Sequence, residues 1–404
     1  MTADAISSAR RWSILGLALT ATMCANVFIN GVAFLIPTLH NDRGLDLARA
    51  GLLSSLPSFG LVATLIAWGY LVDRLGERLV LVTGSALTAL AAFGAAAASS
   101  GGSLTATGAF LLLGGMAAAS SNTASGRLVV GWFPAHQRGL AMGIRQTAQP
   151  LGVALGALVI PRLAEHHGIG VALLFPAAVC AAAALACAVG VSDPPRPPRA
   201  DAPAEHLANP YRGSVLLVRI HAMSVLLVVP QVMVWTFMLV WLMSERGWSA
   251  GAAGVLVTVS QLLGAAGRIG AGRWSDRVGS RLRPVRTIAV AAALTMLALA
   301  VTAWAGSPIS VALIVVASVI TVSDNGLAFT AVAEIAGPFW SGRALGAQNT
   351  SQHFAGGLAP PLFGTLIGVA GYPLAFAVCA LFPLAALPVV PADPDRPADG
   401  TRNT

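Results

Sequence analysis

The chain alternates long apolar runs with short polar connections. Twelve runs stand out, near 12–36, 49–71, 79–98, 104–131, 140–164, 169–191, 213–243, 250–272, 284–305, 309–335, 344–368 and 373–391. A helix needs about 20 apolar residues to cross a hydrocarbon layer about 30 Å thick. Each run therefore predicts one membrane-crossing helix, and the whole predicts an all-α membrane protein of twelve. After the sixth run come Pro194, Pro195, Pro197, Pro198, Pro203 and Pro210, a composition that predicts a poorly helical, semi-extended linker. Pro195 to Pro198 fits a PxxP pattern, but a spacer between two halves explains the stretch more simply. The predicted organisation is a six-helix bundle over 1–191, a cytoplasmic linker over 192–212, and a second six-helix bundle over 213–404 ending in a short polar tail.

Composition agrees with the pattern: 56% of the 404 residues are hydrophobic, 10% are charged, and the mean hydropathy is +0.76. No soluble domain has this balance. The net charge of +8 is the excess of 24 basic residues, every one of them Arg, over 16 acidic ones. With twelve crossings and both termini in the cytoplasm, 16 Arg fall in cytoplasmic segments, 4 in external loops and 4 within helices. That is the asymmetry of the positive-inside rule. Orientation in a membrane accounts for the basic charge, and no nucleic-acid partner is needed. Cys24, Cys180, Cys187 and Cys379 sit in apolar runs without ligand-like spacing and read as packing residues. Arg10-Arg11 precede an apolar stretch as in a signal peptide, but that stretch continues to Ile36, too long for a signal core, and predicts an uncleaved first helix.

The two halves repeat each other. Gly69-Tyr70-Leu71-Val72-Asp73-Arg74-Leu75-Gly76-Glu77-Arg78 returns as Gly272-Arg273-Trp274-Ser275-Asp276-Arg277-Val278-Gly279-Ser280-Arg281, with Gly, Asp, Arg, Gly and Arg displaced by 203 residues. At the same offset Gly139, Ala141, Gly143, Thr147 and Gln149 match Gly342, Ala344, Gly346, Thr350 and Gln352, and Asn122 matches Asn325.

The repeated stretch resembles the signature loop, Gly-x-x-x-Asp-Arg-x-Gly-x-Arg, of the major facilitator superfamily of secondary transporters. The resemblance covers both halves. It implies two pseudo-symmetric bundles, a substrate site between them lined mainly by helices 1, 4, 7 and 10, and no cofactor. It also implies that Asp73 meets helix 11 and Asp276 meets helix 5, so that Gly69, Asp73, Arg74, Gly272, Asp276 and Arg277 act as a conformational gate. Glu334 and Arg343, across the connection from helix 10 to helix 11, resemble the charge pair that accompanies the second loop. Arg268-Ile269-Gly270-Ala271-Gly272 places an Arg one turn ahead of the second signature Gly, where the first half has Leu65. This Arg-x-x-x-Gly-x-x-x-Asp pattern resembles monocarboxylate, oxalate/formate and nitrate/nitrite porters, in which that Arg contacts the anion; snorkelling to the nearby surface is the rival reading. Two features of drug and proton antiporters are missing or weak: Leu111-Leu112-Leu113-Gly114-Gly115 stands where they carry an Arg, and only Gln149-Pro150-Leu151-Gly152 survives of their helix 5 motif.

Polar groups in hydrocarbon are expensive and so mark pathways or pairs. Arg127, Arg145 and Arg219 join Arg268 within predicted helices, and Asp324 is the one acid near mid-membrane. Arg127 and Arg219 can face the cavity or snorkel. Asn26 and Asn30 share a face of helix 1, where lining a cavity and bonding a neighbouring helix are equally open. Four Arg against one deep acid favour an anion. The candidate substrate contacts are therefore Arg268, Arg145, Arg127, Asn122, Asn325, Asn30 and Gln352. Asp324 is the candidate for proton coupling, against a fixed structural bond.

No phosphate loop, zinc-type cluster or serine elbow is present, and His166-His167 falls in an external loop, which argues against an enzyme or an ATP-driven pump. The expected function is secondary transport of a small organic anion, a monocarboxylate or small dicarboxylate, across the cytoplasmic membrane by a monomer, with protons as the coupling ion. Drug or metabolite efflux by proton antiport is the alternative, and a non-transporting sensor of the same fold is a remote one.

Overall fold

The computed structural model describes residues 6–41, 45, 47–196 and 201–392, and every regular element among them is helical. The loop acids Asp42 and Asp46, the middle of the linker and the polar tail lie outside these residues. In chain order the helices are α1 (Ser8–Gly31), α2 (Ile36–Asn41), α3 (Leu47–Leu75), α4 (Glu77–Ser100), α5 (Leu104–Trp132), α6 (Ala135–Arg145), α7 (Ala148–Gly190) and α8 (Ala204–Leu207). They continue as α9 (Leu216–Ser244), α10 (Ala250–Val278), α11 (Leu282–Trp304), α12 (Ile309–Ile320), α13 (Asn325–Ala336) and α14 (Ser341–Ala386). Serine caps open several of them: Ser7, Ser103 and Ser249 accept from Arg10 N, Ala106 N and Ala252 N at the starts of α1, α5 and α10.

Ten described stretches are long and apolar enough to cross a membrane. Two of them, Ala135–Gly190 with 56 residues and Ser341–Ala386 with 46, exceed a single crossing more than twofold. Each contains one glycine outside helical geometry, Gly168 (φ 82, ψ 170) and Gly371 (φ 77, ψ 170). These glycines are 203 residues apart, so the internal repeat extends to them. Divided there, the ten stretches become twelve segments.

Two crossings are interrupted where the sequence predicts continuous helices. One breaks between α6 and α7 at Gln146–Thr147, the other between α12 and α13 at Thr321–Asp324. Pro150 accounts for the first: it lacks the N–H that would bond the carbonyl of Gln146, four residues back. At the second, the Ser323 hydroxyl takes Val319 O at 2.7 Å while Ser323 N turns to Ile320 O at 3.1 Å, so a side chain replaces one bond of the backbone ladder.

Buried apolar residues fall into three clusters. One lies wholly between Ala25 and Ala177, another wholly between Val229 and Ala380. The third draws on both halves, joining residues such as Val72, Leu128 and Met142 to Leu282, Leu327 and Leu345 near the signature loops. The halves thus share a core at the signature-loop end and keep separate cores at the other.

The linker is tied down at several points. Trp132 Nε1 donates to Ser192 O at 3.0 Å, Arg78 N to Asp193 Oδ1 at 2.7 Å and Trp340 Nε1 to Leu207 O at 3.1 Å. It also holds one helical turn, α8, where the prolines predict a semi-extended chain.

Candidate functional site

At the signature-loop end each Asp meets a helix of the other half. Asp73, at the end of α3, accepts from Gly342 N at 2.8 Å and Arg343 N at 3.1 Å, at the start of α14. Asp276, at the end of α10, accepts from Gly139 N at 2.9 Å and Leu140 N at 2.8 Å in α6. The 203-residue repeat makes these two contacts equivalent. Glycine permits the approach, because a Cβ at Gly69 would collide with the carbonyl of Gly342, and one at Gly272 with that of Gly139. The loops turn through Gly76 (φ 96) and Gly279 (φ 67), conformations glycine adopts at little cost.

Side chains elaborate the two contacts differently. Around Asp73, Arg343 Nε donates at 2.9 Å, and Arg127 directs its fork to Glu77, Ser341 and the carbonyl of Pro338. Glu77 is fully buried and also takes Arg196 of the linker. Around Asp276, Arg281 donates at 2.6 Å and reaches Glu334 at 3.1 Å, while Arg138 reaches Glu334 at 3.3 Å. Burial works against the charge on Arg281, but bonds and attraction from Glu334 and Asp276 outweigh it and raise its pKa. Arg127, a sequence candidate for substrate contact, is thus committed at the loop end. Arg343 pairs with Asp73, and Glu334 pairs with Arg138 and Arg281. Arg74 stacks on Tyr70 with Cζ 4.7 Å from the ring centre, and Arg277 is exposed.

Deeper in, three helices from both halves converge. A Cβ at Gly143 of α6 would lie 2.5 Å from the carbonyl of Arg268 in α10, and one at Gly326 of α13 would lie 3.5 Å from Gly143. Here Arg268 Nη1 donates at 3.1 Å to the carbonyl of Gln146, the group that Pro150 leaves without a helical partner. A cation of one half therefore completes the broken helix of the other. Arg145 faces the same residue, with Nη1 on Gln146 Oε1 at 2.8 Å, Nη2 on Asn122 O at 2.6 Å and Nε on Ser125 Oγ at 2.9 Å. Phe329 lies beneath Arg145 and Trp235 beneath Arg268, with Cζ to ring-centre distances of 5.8 and 5.5 Å.

Asp324 is 2% exposed and sits at the break before α13. No described acid lies within ion-pairing distance of Arg268; Asp324 is near enough only for a longer-range Coulombic interaction. Beside it Asn325 donates to Gln231 Oε1 at 2.8 Å and accepts from Gln352 Nε2 at 3.2 Å, joining α9, α13 and α14. In the other half Asn30 donates to Asn26 Oδ1 at 3.2 Å, and half-buried Asn122 offers its carbonyl to Arg145. Arg219 reaches the carbonyls of Val389 and Pro388 at 3.0 and 2.9 Å, past the end of α14. Of the sequence candidates, Arg268 and Arg145 come together, Asp324, Asn325 and Gln352 lie beside them, and Arg127 does not join. The sequence reading missed Trp235, Gln146 and Phe329. Pro150, four residues after Gln146, was the available signal for one of them.

Membrane helices in two repeated halves, bridged at one end by reciprocal Asp contacts and holding charged groups between them, define a multi-pass membrane transporter. The chain belongs to the Major Facilitator Superfamily, whose family model matches residues 17–360 and again 232–403. It is 59% identical over 391 residues to the Uncharacterized MFS-type transporter Rv2994 of Mycobacterium tuberculosis (strain ATCC 25618 / H37Rv), covering 97% of this chain and 87% of the relative. A shorter match, 33% identical over 168 residues, is to the Probable anion transporter 4, chloroplastic, of Arabidopsis thaliana; it covers 41% of this chain and 30% of the relative. Among solved structures, a variant of the E. coli fucose:proton symporter FucP aligns at a TM-score of 0.73 and 16% identity, over 94% of this chain and 98% of the other. The human organic anion transporter MFSD10 aligns at 0.71 and 17%, over 94% and 99%. These structural likenesses show the fold. The protein is a transporter of small molecules and not an enzyme.

Proposed function

We propose that the protein moves a small organic anion across the cytoplasmic membrane by alternating access, coupled to protons through Asp324. The moving bodies are the bundles 1–191 and 213–404, joined by the linker 192–212, with both termini in the cytoplasm. Arg268 carries the reading. It is 3% exposed, no described acid pairs with it, and its Nε has no partner. A buried cation with an incomplete partner set is costly, and an anion that completes the set is held strongly. The names of two relatives, an anion transporter and an organic anion transporter, support the same class. Because Arg268 already bridges to Gln146 of the other half, an anion bound there acts on both bundles. Differential affinity for the two arrangements is what coupling binding to rocking requires.

Arg268→Lys keeps the charge and loses the planar fork. Binding of anions to the purified protein is expected to weaken by about tenfold or more, the loss of one charge-assisted hydrogen bond of the bidentate pair, and Arg268→Ala is expected to weaken it further. Unchanged affinity in both variants would remove Arg268 from the site.

The Arg distribution supports an orientation with the signature-loop end in the cytoplasm. With the four native cysteines all buried, a cysteine introduced at exposed Ala204 in the linker is expected to react with an impermeant maleimide only after permeabilisation. Labelling in intact cells would reverse the topology.

A further inference from the structure

Three buried atoms of the central site have no hydrogen-bond partner: Nε of Arg268, Nε1 of Trp235 and Oδ2 of Asp324. Native interiors leave few such groups, and each calls for an explanation. Two are donors on neighbouring side chains, since the Cζ of Arg268 lies over the Trp235 ring at 5.5 Å from its centre. The Nη2 of Arg268 also donates no hydrogen bond among the described residues, so the Nε–Nη2 edge of the guanidinium is buried without a protein acceptor. That edge matches the two oxygens of one carboxylate. The third atom is an acceptor on an acid within Coulombic range. Arg145 is less free to hold a second carboxylate, because each of its three nitrogens already donates one bond, to Ser125, Gln146 and Asn122, and its Nε–Nη2 edge is blocked at Nε.

We propose that Trp235 is a substrate-contact residue, its indole N–H joining the unpartnered edge of Arg268 to hold one carboxylate, and that the site selects a singly charged carboxylate over a dicarboxylate. The proposal rests on the organic-anion reading and narrows it. Three donors from two side chains satisfy one carboxylate. A second carboxylate on the same molecule finds Arg145 bonded at all three of its nitrogens, and the unpartnered oxygen of Asp324 opposes it when ionised, since like charges in a poorly solvated site repel. Trp235 has a double role, with its face supporting the guanidinium and its edge touching the ligand.

The test is isothermal titration of the purified full chain in nanodiscs, above neutral pH, with butyrate and hexanoate against succinate and adipate. Monocarboxylates are expected to bind at least about tenfold more tightly than the dicarboxylates of equal length. Trp235→Phe keeps a ring beneath Arg268 and deletes the N–H; it is expected to weaken monocarboxylate binding by about tenfold, one charge-assisted hydrogen bond, without moving the melting temperature of the unliganded protein. Asp324→Asn is expected to narrow the discrimination by strengthening dicarboxylate binding. Equal or tighter dicarboxylate binding by the unmodified protein would overturn the selection and leave the organic-anion reading standing. Monocarboxylate affinity unchanged in Trp235→Phe would remove Trp235 from the site, and a ratio unchanged in Asp324→Asn would remove Asp324 from the discrimination. Binding of neither class would overturn both this proposal and the organic-anion reading.

Discussion

Proteoliposomes containing Asp324→Asn are expected to exchange substrate across the membrane at close to the unmodified rate but to lose accumulation driven by a pH gradient. The expectation starts from placement. Asp324 is 2% exposed, lies where the helix breaks between α12 and α13, and has one carboxylate oxygen without a donor. An ionised carboxylate held this way is costly, and binding a proton removes the cost. The nearby cation is Arg268, beyond ion-pairing distance but close enough for a Coulombic interaction, at the proposed substrate site. With the site empty, attraction to Arg268 favours the ionised acid; once an anion occupies Arg268 that attraction is offset, and the acid takes up a proton. In the proposed coupling, substrate and proton bind together, and moving one down its gradient moves the other. Asparagine preserves the shape and cannot titrate, so exchange survives while coupling goes. Gradient-driven uptake equal to that of the unmodified protein would assign Asp324 to a fixed structural role.

The residues that sequence reasoning located are those whose meaning is carried by repetition. The offset of 203 residues identifies Asp73 with Asp276, Gly76 with Gly279 and Gly139 with Gly342, and the structure adds Gly168 with Gly371 at the same offset. Hydrophobic run length located the crossings because backbone in hydrocarbon must satisfy its own hydrogen bonds, leaving helix as the form an apolar run takes. Run length could not show the interruptions at Gln146–Thr147 and Thr321–Asp324, because these break the hydrogen-bond ladder without changing hydropathy. Nor could it sort the buried arginines. Arg127 and Arg145 look alike in the sequence, yet one directs its fork to Glu77, Ser341 and Pro338 and the other to Ser125, Gln146 and Asn122. Their partners are spread from position 77 to position 341, and only tertiary packing brings them within reach. Trp235 was invisible for a related reason: an indole in an apolar helix reads as lipid-facing or core until a cation is found over its face.

Gly272→Ala and Gly270→Ala are expected to behave oppositely although the sites are two residues apart on α10. In an exposed helix, replacing glycine by alanine normally stabilises by about 0.5–1 kcal/mol, because alanine loses less backbone freedom on folding. Gly270 is exposed and a Cβ there meets nothing within 4 Å, so Gly270→Ala is expected to transport normally and to melt slightly higher. At Gly272 the added Cβ collides with the carbonyl of Gly139. That carbonyl belongs to backbone, which cannot swing aside as a side chain can, and the same contact is held by Asp276 on Gly139 N and Leu140 N. Overpacking at such a contact costs about 1–3 kcal/mol or more, and under the proposed alternating access the arrangement closed at the signature-loop end bears it, since the other would have these helices apart. A shift of that size changes the balance of two conformations by roughly five- to a hundredfold. Substrate flux is expected to fall by a similar factor while the protein stays folded, since the apolar clusters confined to each half are untouched. Distances between spin labels on the loop ends of α6 and α10 would show the seam opened in Gly272→Ala and closed in Gly270→Ala. Normal flux and a closed seam in Gly272→Ala would mean that the two bundles do not part along this contact during transport.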